Sequence, residues 1–542
     1  MAHPPPVRCA AAWFLALLAG VSFSALRAAD AATEIDSSSQ RLATSEFLQA
    51  GVAATARAMP AGPVRMTWDS VRANYRTPDW FRDAKFGIFL HWGIYSVPAH
   101  GSEWYVRYMY GGNPAFVQWH TEHWGPPSRF GYKDFIPMFT AAKWDPDAWA
   151  ELFRKAGARY VIPSGEHHDG FSLWDSATNR YNAKNMGPKR DLIGDLAAAV
   201  RRQGLKFGVS NHSNNHFNFI PAMPGSDQYD PAWAEFYSVA DRSDAARKRF
   251  LEKWVAKNLE LIDQYEPDML WFDMNGGDRS WDGQKLAVAA YYYNRALAWG
   301  KPVAISAKGA SFLAGMVMDY ERQGRILPRG LKDFAWQVDD PMGSKYGYVA
   351  EMTNKPAALL IRRLVDCVSM NGNYLLNLSP KADGTIPDEQ QERLLAMGRW
   401  LAVNGEAIYG SRPWVRYGEG PYYDAPADTT PPPGPDDPPH EAYSAREIRF
   451  TTQGDALYAI AMDWPEAGAA GGNAPEVLIT SLATGSAQLP PGRIQRVDLL
   501  GHDGPLAFTQ DATGVHVKFP TERPCDFAYV LKITGFRLTA AR

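Results

Sequence analysis

Two carboxylates stand directly after predicted strands. Asp273 ends the apolar run PDMLWFD at 267–273, and Glu321 follows the run at 316–320. Such a pair suits glycoside hydrolysis, because a retaining hydrolase needs one carboxylate as nucleophile and another as general acid and base, with about 5–5.5 Å between the two carboxyl groups. The simpler alternatives are a helix N-cap for Asp273 and a solvated, charge-rich loop for Glu321.

Histidine, aromatic and further carboxylate side chains follow the other predicted strands. Apolar strands would not end so regularly in such residues if polar residues fell at random. Aromatic faces can cover the C–H surface of a sugar, while imidazoles and carboxylates bond its hydroxyls. For the stretch 86–105, a core strand followed by an aromatic loop is the simpler alternative. The strand ends carry His91, Glu166–Asp169, His212–His216, Asp273, Asp319–Glu321 and Asn377–Ser379, and the seventh strand itself carries Trp336.

Eight apolar runs predict strands, and amphipathic helical patterns separate several of them. Alternating strands and helices predict a parallel sheet, and eight such strands predict an α/β protein with an irregular (β/α)8 TIM-like barrel. It must be irregular because residues 309–315 leave no room for a helix between the fifth and sixth strands. The predicted strands are Phe86–His91, Tyr160–Gly165, Lys206–His212, Asp268–Asp273, Val303–Lys308, Met316–Tyr320, Phe334–Asp339 and Tyr374–Ser379.

The last part of the chain has a different pattern. Short alternating runs punctuated by turn residues predict a C-terminal antiparallel β-sandwich, either a lectin-like module or a structural buttress. The predicted division is a signal peptide at 1–29, an N-terminal linker at 30–65, a catalytic barrel at 66–412 and a sandwich at 413–542, with a Pro-rich loop at 424–440.

The N-terminal residues have the pattern of a secretory signal peptide. Arg8 supplies positive charge, residues 10–20 (AAAWFLALLAG) are apolar, and residues 26–29 (LRAA) offer a cleavage site. No later apolar run is long enough to span a bilayer. We therefore expect an exported protein, periplasmic or secreted, whose mature form has no membrane partner.

Net charge and cysteine content bear on nucleic-acid binding and on disulfide formation. A formal net charge of −3 gives no electrostatic case for binding nucleic acid. Cys9 leaves with the predicted signal peptide, so Cys367 and Cys525 remain, either as one disulfide or as two buried thiols. No pattern specifies an oligomeric state.

Four segments carry a resemblance to a known family. FGIFLHWGIYSVPAHGSEWY at 86–105, EHHDGF at 166–171, PDMLWFD at 267–273 and MNGNYLLNLSPKADGTIP at 370–387 resemble the α-L-fucosidases of glycoside hydrolase family 29. The resemblance implies an irregular barrel and an exo-acting α-L-fucosidase that hydrolyses terminal α-L-fucosyl linkages with retention. The implied partner is a fucosylated oligosaccharide or glycoconjugate, and no cofactor or metal is implied.

The resemblance also implies roles for individual residues. Asp273 matches the family's nucleophile, and Glu321 aligns with its acid/base glutamate upstream of a Trp-containing strand. The implied substrate-binding residues are His91, Glu103, Trp104, His167, His168, His212, Trp271 and Trp336.

Two departures from the family pattern bear on specificity. Where many members carry a Tyr-Tyr-Ser run after the third strand, this sequence has His212 and its neighbours. The family's active-site arginine has no clear match, and both Arg279 and Lys308 are candidates for its place.

Three alternatives belong to other classes. The histidines and Asp169 could form a metal hydrolase site, but no HExxH spacing occurs and chelator would then abolish activity. A hydrolase with altered specificity, for fucose or an L-galactose-type sugar, could use the same fold. A fucose-binding protein without turnover could do so as well.

Overall fold

The computed structural model describes residues 49–274, 279–321, 330–424, 443–466 and 475–538. Eight parallel strands close into a barrel in chain order, β1 to β8, which confirms the predicted α/β barrel. The strands are β1 Phe86–Leu90, β2 Tyr160–Glu166, β3 Lys206–Asn211, β4 Met269–Phe272, β5 Ala304–Lys308, β6 Val317–Asp319, β7 Trp336–Pro341 and β8 Gly372–Leu378.

Strand β1 lies between β2 and β8, and this position explains why residues 86–90 are apolar. All of its residues are buried, as expected of a parallel strand covered on both faces. Gly87 faces Tyr160 of β2, and a Cβ at that position would come within 2.3 Å of the tyrosine ring. A glycine is therefore required for β1 to approach its neighbour.

Helices surround the barrel at the predicted places. The side chain of Ser243 accepts a hydrogen bond from the amide of Ala246 and caps the longest helix, which ends where Glu266 adopts a left-handed conformation. Residues 309–316, between β5 and β6, contain no helix, as predicted. The α-helices are Val52–Ala58, Trp68–Asn74, Asp79–Ala84, Tyr105–Arg107, Pro114–Trp124, Pro146–Lys155, Leu192–Arg202, His216–Phe219, Ala234–Tyr237, Asp244–Tyr265, Asp282–Trp299, Ala357–Ser369, Asp388–Asn404 and Pro421–Asp424.

Two antiparallel sheets form the C-terminal part, in agreement with the predicted sandwich. One has five strands in the order β13-β16-β11-β10-β9, and the other has three in the order β12-β15-β14. The strands are β9 Arg412–Glu419, β10 Ile448–Gln453, β11 Ala456–Ala461, β12 Glu476–Ile479, β13 Gly492–Leu499, β14 Phe508–Gln510, β15 Val515–Lys518 and β16 Tyr529–Phe536.

Several predictions fall wholly or partly outside the described residues. The signal peptide lies outside them, as does all of the Pro-rich loop except Asp424. Within the predicted linker, residues 49–65 include the helix Val52–Ala58, and the backbone carbonyl of Ala50 accepts a hydrogen bond from Gln284 of the helix Asp282–Trp299. No helix in the described ranges is long and apolar enough to cross a membrane.

The two cysteines that follow the predicted signal peptide are free. Cys367 is buried in the helix Ala357–Ser369, whereas Cys525 is only half-buried, near the C-terminal sheet. The possibility of a disulfide is thereby excluded in this structure, and the two-thiol alternative holds with one thiol less buried than predicted.

Candidate active site

A narrow pocket lies at the carboxyl ends of the barrel strands, where active sites of this architecture are built. All but one of the predicted site residues line it, together with three that were not assigned. The lining residues are His91, Glu103, Trp104, His167, His168, His212, Trp271, Asp273, Lys308, Glu321, Asp339 and Tyr346.

Asp273 directly follows β4, and basic side chains lie close to both of its carboxylate oxygens. Its Oδ1 lies 2.5 Å from the Lys308 ammonium, and its Oδ2 lies 3.0 Å from His168 Nε2 and 3.6 Å from His212 Nδ1. With its side chain only 11% exposed, Asp273 is held in one orientation by these three partners. A fixed, ionised carboxylate of this kind is suited to act as a nucleophile.

Lys308 bridges the two carboxylates. It is the last residue of β5, and its Nζ lies 2.8 Å from Glu321 Oε1 as well as 2.5 Å from Asp273 Oδ1. These two carboxylate oxygens can therefore be no farther apart than the sum of those distances. The shared ammonium therefore holds the two carboxyl groups close together, as expected for retaining glycosidases, in which they lie about 5–5.5 Å apart.

The environment shifts the pKa values of Asp273 and Glu321 in opposite directions. Burial opposes ionisation of Asp273, but Lys308 and the hydrogen bonds of His168 and His212 outweigh it and hold the Asp273 pKa well below its usual range. Burial raises the pKa of Glu321 to about 7, against the opposing pull of Lys308. At neutral pH one carboxyl is thus ionised while the other retains a substantial protonated fraction, as an acid and a nucleophile require.

The histidines are oriented by hydrogen bonds at one ring nitrogen. His91 Nδ1 lies 2.7 Å from the side-chain oxygen of Asn377, and His168 Nδ1 lies 2.8 Å from the backbone carbonyl of His212. Both partners can only accept, so each Nδ1 carries a proton. The Nε2 of His91 is left toward the pocket, whereas that of His168 lies 3.0 Å from Asp273 Oδ2. His167 Nδ1 is buried without a protein hydrogen bond, which leaves it available to a ligand hydroxyl.

Burial keeps three of these rings neutral. It lowers the pKa of His91 and His167 well below the usual value, and neighbouring imidazoles add to the effect. Burial likewise lowers the pKa of His212 to about 4, although Asp273 opposes it. Neutral rings can both donate and accept, which suits hydroxyl groups.

Glu103 and Trp104 close one side of the pocket. The Glu103 carboxylate accepts a hydrogen bond of 3.0 Å from the amide of Gly347. Trp104 packs edge-on against Phe219, with ring centroids 5.3 Å apart, and against His168 at 6.0 Å. These contacts bring the segment after β1 to the same pocket as the ends of the other strands.

Trp271 is anchored by a buried carboxyl pair behind the pocket. Its indole nitrogen donates to Asp319 Oδ2 at 2.7 Å, and Gln337 donates to the same oxygen at 2.9 Å. Burial raises the pKa of Asp319 and of its neighbour Asp339. Two adjacent carboxyls with raised pKa values can share a proton, and this arrangement fixes the indole beside the nucleophile.

Two residues named from the sequence lie elsewhere. Trp336 is the first residue of β7, at the end of the barrel opposite the pocket, and its indole nitrogen donates to the carbonyl of Met370. It is a core residue, so the sequence-based placement at a sugar site is corrected. Arg279 lies 3.5 Å from Asp282 in an ion pair and does not line the pocket. Lys308 therefore takes the central cationic position.

Asp339 and Tyr346 were not identified from the sequence. Asp339 is the fourth residue of β7 and lay at the end of a predicted strand, which was a usable signal. Tyr346 lies in the loop after β7, 4.9 Å from His91 between ring centroids. Nothing in the local sequence distinguishes it from a core tyrosine.

Family models match both parts of the chain. A model described as Alpha-L-fucosidase matches residues 52–406, and one described as Alpha-L-fucosidase C-terminal domain matches residues 442–534. Together they span the barrel and most of the C-terminal sheets.

Curated proteins and solved structures are similar over most of the chain. Tissue alpha-L-fucosidase of Mus musculus is 33% identical over 494 residues, which cover 88% of this chain and 96% of the mouse protein. The Homo sapiens tissue enzyme is 30% identical over 495 residues, covering 89% and 94%. The crystal structure of Thermotoga maritima alpha-fucosidase in complex with fucose has a TM-score of 0.68 at 30% identity and covers 87% of this chain and 100% of that chain.

Proposed function

Because the chain belongs to the alpha-L-fucosidase family, we propose that its pocket hydrolyses terminal α-L-fucosyl linkages with Asp273 as nucleophile and Glu321 as general acid and base. The family membership establishes a glycoside hydrolase that acts on fucosylated glycans. The roles of the individual residues are the proposal. It rests above all on the Lys308 ammonium, which contacts both carboxylates at once.

The first step transfers the fucosyl group to the protein. An Asp273 oxygen attacks the anomeric carbon, and the bond from that carbon to the glycosidic oxygen breaks. Glu321 gives its proton to the departing oxygen, which leaves as a free hydroxyl. The products are a fucosyl ester of Asp273 with inverted configuration and an ionised Glu321.

The second step returns the protein to its starting state. Glu321, now a carboxylate, removes a proton from water, and the water oxygen attacks the same anomeric carbon. The ester bond to Asp273 breaks, so fucose leaves with net retention and Glu321 is protonated again. The negative charge lies on Asp273 before the first step and on Glu321 after it. Because Lys308 contacts both groups, it can stabilise the charge in either position.

The neutral histidines are proposed to hold the sugar. His91 directs an Nε2 acceptor toward the pocket, and the rings of His167 and His168 line the pocket beside Asp273. Trp104 and Trp271 supply apolar faces beside them. A small sugar bearing hydroxyls and one methyl group fits this mixture of hydrogen-bonding and apolar contacts.

The test is the release of an aryl leaving group from an aryl α-L-fucoside by the purified full chain. Asp273→Ala is expected to lower kcat/KM by at least about 10³-fold, because no other group can form the ester. Asp455→Ala, an exposed carboxylate in the C-terminal sheet region, is the matched control and should retain wild-type activity. Proton NMR of the first-formed product should show α-fucose.

Each alternative has a distinct result. β-Fucose as the first product would contradict retention and the role of Asp273 as nucleophile. Absence of turnover together with fucose binding by calorimetry would favour the binding-protein alternative. Turnover of an aryl L-galactoside in preference to the fucoside would favour altered specificity.

We further propose that the protein is exported to the periplasm or the medium. The support is the sequence pattern of residues 1–29 alone. Expression of the full chain followed by mass spectrometry of the exported protein should find a new N-terminus close to residue 30. Retention of the uncleaved chain inside the cell would contradict this proposal.

A further inference from the structure

Four histidine rings pack against one another beside Asp273. The ring centroid of His167 lies 5.5 Å from that of His91, 4.4 Å from that of His168 and 4.9 Å from that of His212. Sugar binding accounts for individual hydroxyl contacts, but it does not by itself require so dense a cluster of imidazoles. Neutral imidazole is also the commonest protein ligand of transition metals.

Two groups of three side chains bring possible ligand atoms within 4.8 Å of one another among the described residues, and both include His212. One consists of His91, His167 and His212, and the other of His168, His212 and Asp273. His212 is the departure of this sequence from the family pattern noted above, and it adds a fourth ring to His91, His167 and His168.

We propose that the pocket binds one divalent transition-metal ion, such as Zn²⁺, through His168 Nε2, His212 Nδ1 and Asp273 Oδ2, and that the bound ion blocks the active site. The two nitrogens lie 3.0 and 3.6 Å from that oxygen. Tetrahedral Zn²⁺ with bonds of about 2.0–2.1 Å separates neighbouring ligand atoms by roughly 3.4 Å. The observed distances lie on either side of this value.

The second nitrogen of each ring is already arranged for metal binding. Metal-ligating histidines usually donate their other N–H to a carbonyl, a carboxylate or water, which fixes the tautomer. His168 Nδ1 donates to the carbonyl of His212, so Nε2 is the ring nitrogen that points at Asp273 Oδ2, and an ion bound between them would replace the proton of that contact. His212 Nε2 lies 3.0 Å from the hydroxyl of Ser210, so Nδ1 can be the ligand atom.

Lys308 limits how tightly the ion can bind. It contacts Asp273 Oδ1 rather than the Oδ2 that would bind the ion, but its positive charge repels a second cation. A site with three protein ligands and one open position also differs from a closed structural zinc site. We expect reversible binding of added metal rather than a permanently held ion.

The consequence for catalysis rests on the proposed function. An ion on Asp273 Oδ2 occupies the nucleophile and the space beside His168, so metal and fucose should exclude each other. Chelator should then leave activity unchanged or raise it, which is the opposite of the behaviour of a metal-dependent hydrolase.

Isothermal titration calorimetry of the EDTA-treated, dialysed full chain with ZnCl₂ tests the site directly. We expect one ion per chain in the wild type and at least tenfold weaker binding in His212→Phe, which keeps a ring of similar size. His516→Phe is the control, because His516 lies on the surface 2.9 Å from Glu476 and 3.5 Å from Asp511 and is a rival place for an adventitious ion. Loss of binding in His516→Phe with full retention in His212→Phe would overturn the proposal.

Two measurements on the wild type keep the test decisive if His212→Phe does not fold. Co²⁺ should give the intense visible absorption of a tetrahedral ion with nitrogen and oxygen ligands, and excess fucose should suppress it. No cobalt spectrum and no heat with ZnCl₂ would overturn the metal site, whatever the fucosidase assay shows. A metal site that excess fucose does not displace, in a chain that hydrolyses the aryl fucoside, would overturn the blocking role of the ion.

Discussion

The carboxyl of Glu321 should set the alkaline limit of activity. As the general acid it must be protonated when the glycosidic bond breaks, and burial raises its pKa to about 7. We therefore expect kcat/KM to fall about tenfold per pH unit above roughly pH 7. Asp273 must be ionised, and its lowered pKa places the acidic limit well below that value. The pH profile of aryl fucoside hydrolysis measures both limits.

Glu321→Gln provides the control for that assignment. The amide cannot titrate, so the alkaline limb should disappear while a low activity remains for substrates whose leaving group needs little protonation. An unchanged alkaline limb in this variant would assign the limb to another group.

Removal of the Lys308 charge should shift both the acidic and the alkaline limit of the pH profile. Its charge lowers the pKa of Asp273 and of Glu321. Lys308→Met removes this charge, so both pKa values rise and the whole profile moves to higher pH, by about one to three units if each carboxyl loses a close opposite charge. Lys308→Arg keeps the charge and should keep the profile near its wild-type position. A lowered rate with an unshifted profile would show that Lys308 acts on packing rather than on protonation.

The candidate site was largely predictable because residue type and strand position agreed. Asp273 and the histidines follow apolar strands, so their place at one end of the barrel could be deduced. Lys308 and Arg279 both lie between the two carboxylates in sequence, and only the closed barrel distinguishes them. Trp336 was predicted within the seventh strand, but it begins β7 and so lies away from the pocket, whereas Asp339, farther along the same strand, lines the pocket.

At the scale of elements, a buried ion pair fastens β2 to the longest helix. Glu166, the last residue of β2, contacts the Lys257 ammonium and accepts a hydrogen bond of 2.5 Å from Ser172. Both charged side chains are almost fully buried. Since Glu166 directly precedes His167, this pair positions the histidine segment of the pocket.

Lys257→Met should destabilise the protein by about 3–5 kcal/mol, because it leaves the Glu166 charge buried without its cation. The double variant Glu166→Gln with Lys257→Met should recover much of that loss. Lys253→Met on the same helix breaks a pair whose Glu235 partner is 57% exposed, and it should cost less than about 1 kcal/mol. Urea denaturation of the four proteins measures these values, and equal losses in Lys257→Met and Lys253→Met would contradict the assigned role.

The elements could be predicted where pattern and burial coincide. Most barrel strands are short, buried apolar runs, and all eight were predicted with ends within a few residues, including β7, which is buried although it contains Gln337, Asp339 and Asp340. β9 is harder to predict because it does not alternate: its burial is irregular, and its pairing with β10 shifts register between Arg449 and Thr451. β14 has only three residues, and none of them is buried.

At the scale of the whole molecule, one face of the five-stranded C-terminal sheet packs into the barrel's apolar core, while other residues of the C-terminal sheets form a second apolar cluster. One continuous cluster of buried apolar residues includes the barrel strands and also Tyr458, Ile460 and Val530 of the five-stranded sheet. The indole nitrogen of Trp400, on the helix Asp388–Asn404, donates to the carbonyl of Ala528 at 2.8 Å. This packing supports the buttress alternative for the sheet over that of an independent lectin-like module.

A polar contact within the same interface makes the coupling testable. Asp366, on the helix Ala357–Ser369, accepts hydrogen bonds of 2.7 Å from Arg449 of β10 and 2.8 Å from Tyr443. Asp366→Ala leaves those donors short of an acceptor in a buried place and should cost about 1–3 kcal/mol. Asp424→Ala removes an exposed partner of Arg416 and should cost less than about 1 kcal/mol.

Differential scanning calorimetry should show one unfolding transition in the wild type and in both variants, with the transition of Asp366→Ala shifted to lower temperature as a whole. A shared core cannot lose one half without exposing the apolar surface of the other, so barrel and sheet should unfold together. Two separate transitions, with only the smaller one lowered by Asp366→Ala, would mean that the sheet folds independently. The buttress role would then be wrong, and a separate binding role for the sheet would have to be tested with glycans.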